Sequence, residues 1–515
     1  MRTKPPCVSP FDPVSTVLSH MMKEEIGAVI VVEDNRPIGI ITEKDMLIRV
    51  FHAGRDLIST RASEIMSEPL VTLDSQGSIK DGLDLIREHD IKRLVVTDGE
   101  YLVGLTTERR LLEIVHEQYI IQNSNRMKRV LSDDGIKINV GYVSTFPPRQ
   151  CGIATYTYDL VDAISRLFVT GQSGIIAIND KGGFYDYSSL VKFQIDREDT
   201  DSYRRAAENV NNSEIDIVNL QFEFGLFGGV WGDNIITFLE ELEKPVVTTL
   251  HTLLQEPGSE TKKVMDYILD RSNFVTVMAK VGIKILENEY DTLADSVRYI
   301  PHGCPNVPLL GCETIKNVIG LNRRTVLSTF GLLSRGKGIE YAIQSLPKII
   351  EKDPSVLYLI IGQTHPEVRK HEGESYRQYL MDLIDKLGVN ENVRFVNRFV
   401  EKSELIRFLQ ATDIYIIPYP NREQISSGTL LYALSTGKAI ISTPFLHAEE
   451  VMSQGAIKGC KFRDPDSISD SVIELLTDKS SHEEFQSRAY QYSRDMIWPN
   501  VAMKHVNLLY EALKL

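Results

Sequence analysis

Four stretches of the chain carry residue types that can hold a phosphate or meet a sugar. In 325–346, TVLSTFGLLSRGKGIEYAIQSL, an apolar run at 326–330 leads into a glycine-bearing turn with Ser334, Arg335, Lys337 and Gly338, and then an amphipathic pattern begins near Ile339. A strand feeding a helix through such a turn leaves amide groups unpaired and brings the positive end of the helix dipole to one point beside two cations. That chemistry suits a phosphate, although a surface turn with two basic residues would read the same in isolation. In 421–442, NREQISSGTLLYALSTGKAIIS, the residues Ser426, Ser427, Gly428 and Thr429 crowd hydroxyls and amides at the start of a helix expected to run to about Ser435. Two such cradles facing one cleft suit a diphosphate better than a single phosphate. Gly152, in STFPPRQCGIATYTYDLVDAI, stands at the mouth of a helix expected from about Ala154, where it allows close backbone approach to a ligand or simply makes a tight turn. His251 ends PVVTTLH and either caps a strand or contacts a sugar.

The elements that must position these residues alternate as in open parallel sheets. One series of apolar runs falls at 138–144, 174–180, 192–195, 216–222, 245–251, 274–279 and 297–302. A second starts at Val326 and continues at 356–362, 393–399, 413–419 and 439–445. Two doubly wound domains in tandem imply a cleft between them, with ligands beyond the carboxyl ends of the strands. The four stretches all fall at such ends. The last stretch, SRDMIWPNVAMKHVNLLYEALKL, predicts an amphipathic helix or helix pair around Pro499.

At 515 residues the chain exceeds a single core and predicts about three domains. A formal net charge of −14 argues against a general nucleic-acid binder, so any phosphate site must be local. The 5 cysteines are scattered, with no zinc spacing, which fits reduced thiols and a cytoplasmic location. No apolar stretch has signal-peptide or membrane-span character. Asp464-Pro465-Asp466 reads as a surface turn, and no DxD pair sits at a strand end, so no metal is expected.

The first quarter repeats itself at an offset of 65 residues: Ile26 with Ile91, Val31 with Val96, Gly39 with Gly104, Thr42 with Thr107. Each copy reads helix, strand, turn, strand, helix. On GIITEKD, 39–45, this segment resembles a tandem CBS-domain pair. The resemblance implies that Thr42 and Asp45 hold the ribose of an adenine nucleotide (AMP, ADP or ATP). The second copy, GLTTERR, keeps Thr107 but has Arg110 where the Asp belongs; Arg110 cannot accept from ribose hydroxyls, though it can meet a phosphate. A regulatory nucleotide sensor and a purely structural or dimerising pair both remain open, the latter including a homo-oligomer through this segment.

Residues 136–515 resemble the retaining GT-B glycosyltransferases, specifically family four, on STFPPRQCGIAT, LQFEFG, TTLHT, YIPHG, GLLSRGKG, YLIIGQTHPE and SSGTLLYALSTGKAIISTP in that order. The expected fold class is therefore α/β: a tandem CBS pair of α+β type followed by two doubly wound Rossmann-like domains. The expected boundaries are 1–125 for the CBS pair, 126–136 for a linker, 137–310 for the acceptor domain, 311–490 for the donor domain and 491–515 for a helix crossing back, anchored by Trp498. The resemblance implies a metal-independent hexosyltransferase without cofactor that moves a sugar from a nucleotide-diphosphate donor, GDP-mannose by subgroup, to a carbohydrate or polyol acceptor. Lys337 and Arg335 would hold the donor phosphates, with His251 as the third catalytic residue on the donor sugar. Gly152, Ser334, Gly338, Gln424, Ser426, Ser427, Gly428 and Thr429 would line the donor. Three departures stand against the family pattern. Arg335 lies three positions beyond the usual Arg, the two glutamates of E-x7-E are replaced by Gln424 and Tyr432, and Phe222 occupies an expected His position. A non-catalytic nucleotide-binding regulator with the same fold is the alternative.

Overall fold

The computed structural model describes residues 5–23, 26–89, 91–107, 111, 137–167, 171, 173–290 and 294–514. The linker expected at 126–136 and Arg110 lie outside them. The chain forms two compact units, 1–133 and 134–515.

In the first unit the 65-residue period is visible down to the register. The first copy comprises β1 (Cys7–Val8), a helix (Val14–Lys23), β2 (Ala28–Glu33) and β3 (Arg36–Thr42). The second comprises β4 (Thr72–Asp74), a helix (Ile79–Glu88), β5 (Arg93–Asp98) and β6 (Tyr101–Thr107). β1 pairs parallel to β2 as Cys7 with Ile30, and β4 to β5 as Thr72 with Val95, one period apart. Both hairpins carry a bulge at the matching place, Val31/Val32 and Val96/Thr97. Ala28 and Ile30 bury against Val95 and Leu105, so each copy supplies the apolar cover that a three-stranded sheet lacks by itself.

The second unit holds two sheets in which every pairing is parallel. The first lobe contains β7 (Val140–Ser144), β8 (Gly174–Asn179), β9 (Val191–Asp196), β10 (Ile217–Phe222), β11 (Val246–Leu250), β12 (Phe274–Val277) and β13 (Val297–Tyr299). Their order is β13-β12-β11-β10-β7-β8-β9. The second lobe contains β14 (Thr325–Phe330), β15 (Val356–Ile361), β16 (Val393–Val396), β17 (Ile414–Ile417), β18 (Ala439–Ser442) and β19 (Lys458–Gly459), in the order β16-β15-β14-β17-β18-β19. Helices cover both faces, and β7, β8, β10 and β11 are buried at every residue, which is why they read as unbroken apolar runs. The strand order reverses between β7 and β10 in one lobe and between β14 and β17 in the other. Crevices form beyond those two points.

Two local expectations are corrected. The helix expected from Ala154 begins at Gly152, because Cys151 caps it. Asp464-Pro465-Asp466 is no free turn: Asp464 caps the helix Pro465–Thr477, with Pro465 in the first turn, where its missing N–H costs nothing. The two-residue β19 had no legible apolar run. The C-terminal residues form one helix, Trp498–Ala512, with Pro499 inside its first turn.

Candidate functional site

The tip of β14 is where the sequence-predicted cradles meet. A short 3-10 turn, Arg335–Lys337, leads into Gly338 and the helix Ile339–Lys352, whose N-cap offers no side-chain acceptor. Gly338 adopts φ +61, and a Cβ there would sit 2.0 Å from Pro418 O, so the turn can pass β17 only as glycine. Lys337 Nζ donates to Tyr419 Oη at 2.9 Å and lies 4.4 Å from that ring's centroid. Tyr419 Oη bonds Thr429 Oγ1 at 2.8 Å, and Thr429 Oγ1 bonds Ser427 Oγ at 3.1 Å. Burial raises the Tyr419 phenol, but the Lys337 ammonium and the hydroxyl donors around it outweigh burial and bring it below its usual value. Gly331, ending β14, faces both cradles: a Cβ there would be 3.6 Å from Lys337 Cε and 3.6 Å from Thr429 Cγ2. One polar chain thus joins Lys337 to the start of the helix Gly428–Ser435.

That helix start also meets the other lobe. Ser426 Oγ donates to His251 O at 3.2 Å, and a Cβ on Gly428 would come 3.1 Å from His302 Nε2. Ser427 N donates to His447 Nδ1 at 3.1 Å, while Gln424 stays exposed and donates from Nε2 to Ser426 O at 2.9 Å. His251 follows β11, and its Nε2 lies 2.9 Å from Gln221 Oε1 on β10. The amide oxygen can only accept, which keeps the proton on Nε2 and leaves Nδ1 a lone pair. Burial first, then His302 and His505, pushes His251 down to about 3, so it acts as a neutral hydrogen-bonding imidazole. Tyr156 packs edge-on to His251 (5.0 Å), His302 (4.9 Å) and Trp498 (5.4 Å), and its hydroxyl lies 3.3 Å from His505 Nε2. Through Trp498 and His505 the helix Trp498–Ala512 therefore packs behind the histidines. Gly303 makes this fit possible, since a Cβ there would fall 2.2 Å from the Trp498 ring.

Further contacts join the lobes. Asp159 accepts from Lys402 Nζ at 2.8 Å and from Tyr432 Oη at 3.1 Å. Tyr432 stands where the second glutamate of E-x7-E was sought, so a carboxylate is still present there, supplied by the opposite lobe. Gln150 and Gln363 bond at 2.5 Å beside a cavity of about 350 Å³ lined also by Thr364, Arg369 and Lys370. Gly152 starts its helix with open space where a Cβ would point.

Arg335 is not brought to Lys337. Its guanidinium lies over Tyr376 and Tyr379, at 5.5 and 5.8 Å, and 3.9 Å from Glu372, because the 3-10 turn directs adjacent side chains to different sides. Ser334 is the extended residue before that turn. In the first unit Thr42 and Asp45 bond each other in a capping box, Thr42 N and Oγ1 reaching Asp45 Oδ2 at 2.8 and 2.6 Å, while Ser67 Oγ takes Asp45 Oδ1 at 3.0 Å. Thr107 closes β6, paired with Arg93. Among the described residues Cys312, Glu313 and Asp413 come near enough to share an ion, but Lys316 Nζ already bridges both carboxylates at 2.7–2.9 Å. Sequence reasoning did not single out His302, Tyr419, Gln221 or Asp159. YIPHG contained the first, LQFEFG contained Gln221, the stretch around Gly152 contained Asp159 and the run 413–419 ended on Tyr419, but the linear pattern gave none of the four a partner.

The CBS-domain family pattern matches residues 1–52 and 62–117, and the pattern described as glycosyl transferases group 1 matches 313–492. The chain is 35% identical over 105 residues to the CBS domain-containing protein YhcV of Bacillus subtilis, covering 20% of this chain and 74% of that one. It is 22% identical over 261 residues to a D-inositol 3-phosphate glycosyltransferase of Corynebacterium urealyticum, covering 48% of this chain and 59% of that one. The chain spans 28% of the length of one curated relative it matches and 82% of another. The crystal structure of Anabaena Alr3699/HepE in complex with UDP has the same fold, with a TM-score of 0.55 and 12% identity over 73% of this chain and all of that one. Among the described residues no helix is long and apolar enough to cross a membrane.

Proposed function

From a chain that belongs to the CBS-domain family through its first unit and carries a glycosyl transferases group 1 domain in a GT-B fold, we infer a retaining, metal-independent transfer of a hexosyl group from a nucleoside diphosphate sugar. The observation that carries this reading is the unbroken polar chain from Lys337 through Tyr419 and Thr429 to Ser427, beside an uncapped helix start and facing His251 and His302. In the reaction the bond from the anomeric carbon to the diphosphate oxygen breaks, the acceptor oxygen bonds the same carbon on the same face, and the acceptor proton passes to the departing diphosphate. Negative charge grows on the phosphate oxygens as that bond breaks. Lys337 and the uncapped first-turn amides of the helix Ile339–Lys352 meet it without reorganising, which is where a preorganised site lowers the barrier. His251, neutral and fixed by Gln221, accepts a hydrogen bond from a sugar hydroxyl at Nδ1 and carries no charge into the transition state. The carboxylates missing at Gln424 and Tyr432 do not enter this scheme.

The test is release of nucleoside diphosphate from UDP-glucose and GDP-mannose, with glucose or myo-inositol as trial acceptors. Release by the native chain, retained in EDTA and lost in Lys337→Ala, is expected; equal release by the variant overturns the assignment. The first unit is read as an adenine-nucleotide sensor in which Thr42 and Asp45 exchange their mutual bonds for ribose hydroxyls. Regulation requires that AMP or ATP bind two states of the enzyme with unequal affinity. A release rate unmoved by AMP, ADP and ATP defeats that part.

A further inference from the structure

The loop after β10 encloses a cavity that the diphosphate chemistry does not use. It measures about 340 Å³, in the range of small-molecule sites, and Arg197, Glu198, Glu223, Gly225, Trp231 and Thr252 line it. The loop is tightly wound: Gly228, Gly229 and Gly232 take φ of +70, +67 and +83. A Cβ at these positions would come within 2.0 Å of Arg197 O, 2.0 Å of Asp233 Oδ1 and 2.7 Å of Phe224 O. Gly225 instead faces open space.

Trp231 is the anomaly of this loop. It holds φ +56, a conformation that disfavours bulky side chains, yet its indole is 55% exposed and packs edge-on to Phe224 at 6.3 Å. Backbone strain that places a large aromatic surface in water is not offset by burial within this chain, and an aromatic plate over a cavity is a stacking surface.

The polar groups define what would stack there. Arg197 Nε lies 3.2 Å from Glu198 without a hydrogen-bond partner, and its Nη1 lies 3.6 Å from Asp180, which Arg149 already holds at 3.0 and 2.8 Å. The Arg149–Asp180 pair stands behind Arg197 and does not line the cavity. Glu223 accepts from Thr252 Oγ1, and burial raises its carboxyl toward the neutral form, outweighing that bond and those to Phe224 and Gly225. The lining itself sets one guanidinium, Arg197, against two carboxyl groups, Glu198 and Glu223, so it has no surplus positive charge and favours neutral hydroxyls over an anion. It also adjoins the transfer site. Thr252 follows His251, and Glu223 follows Phe222, whose carbonyl accepts from His251 N at 3.0 Å.

We propose that this cavity is the acceptor site and takes a neutral polyol or monosaccharide unit, with Trp231 against its C–H face and Glu223 and Arg197 on adjacent hydroxyls. The assignment rests on the glycosyltransferase reading above. The chain has 2 tryptophans, of which Trp231 lines the cavity and Trp498, buried at 6% exposure, does not, so the change in emission as the cavity fills reports on Trp231. Tryptophan emission of the full chain is titrated with D-glucose and myo-inositol, alongside a melting curve with UDP and GDP. A saturable change is expected, abolished in Trp231→Phe and shifted at least tenfold in half-saturation in Glu223→Ala, with Glu223→Gln intermediate. The diphosphate-induced rise in melting temperature is expected to survive in all three variants, which also verifies folding. No saturable change with either polyol, a change that persists in Trp231→Phe, or an unshifted Glu223→Ala overturns the acceptor site while the diphosphate response stands. Loss of that response in the native chain instead overturns the transferase reading.

Discussion

Each sheet of the second unit has its first strand running into a turn and a helix, and the two turns are finished in opposite ways. After β7 the helix start is closed: Cys151 Sγ accepts from Ala154 N at 3.3 Å, and the cation of the turn, Arg149, is tied to Asp180. After β14 the cap is Gly338, which offers no acceptor, and the cation, Lys337, reaches across to the phenol of Tyr419, just past the end of β17. Identical topology therefore produces one sealed helix start and one left open. An anion site requires that the cap be withheld as well as that a helix begin there.

The strongest way to break that comparison is Lys337→Ala. Loss of one preorganised donor to a growing anion costs about 3–4 kcal/mol, roughly 100-fold or more in diphosphate release, with the fold intact. A smaller effect tests the histidines shared by the lobes. Burial pushes His251 to about 3, and His447 and His505 to about 4, from an ordinary 6.5. The unfolded chain takes up protons that the folded chain refuses, so the stability they confer is complete above pH 6.5 and falls as pH drops from 6.5 toward 4. Each contributes a slope of about 1.4 kcal/mol per pH unit within that window. Denaturant unfolding at pH 7, 6 and 5 measures it, and a flat profile would contradict the buried neutral imidazoles.

The two glycines sharpen the contrast directly. Gly338→Ala forces a side chain into φ +61 against Pro418 O and is expected to lose roughly 1–3 kcal/mol by thermal unfolding. Gly152→Ala meets nothing and should stay within about 0.5 kcal/mol of the native chain. A marked loss in Gly152→Ala would show that the space beside Gly152 is not open as described. For diphosphate release the smallest effect is expected for Arg335→Ala. Its stacking on Tyr376 and Tyr379 is an exposed cation–π contact, of about 0.5–1 kcal/mol, and diphosphate release should change by less than about threefold. A loss comparable to that of Lys337→Ala would return Arg335 to the phosphate.

Much of this was legible in the linear chain because it is local. Unbroken apolar runs and period-3.6 patterns with glycine punctuation locate β7 to β18, and the 65-residue offset locates both halves of the first unit, since burial of strands on both faces and of helices on one sets those patterns. Lys337, Ser427 and Thr429 stood out because their turns are encoded within a few residues. Arg335 shows the limit. Two positions from Lys337 in sequence, it points elsewhere, because a 3-10 turn separates neighbouring side chains.

What the sequence determined by itself, then, is the alternation of elements, the repeat and the chemistry available at each strand end. The tertiary structure alone decided which of those ends meet: Tyr419 linking Lys337 to Thr429, Asp159 serving Tyr432 from the other lobe, and Gln221 fixing the tautomer of His251. Such partners lie up to 273 residues apart. Their pairing follows from how two sheets twist, pack and face each other, a balance of burial and close contact over the whole unit that no short window of residues encodes.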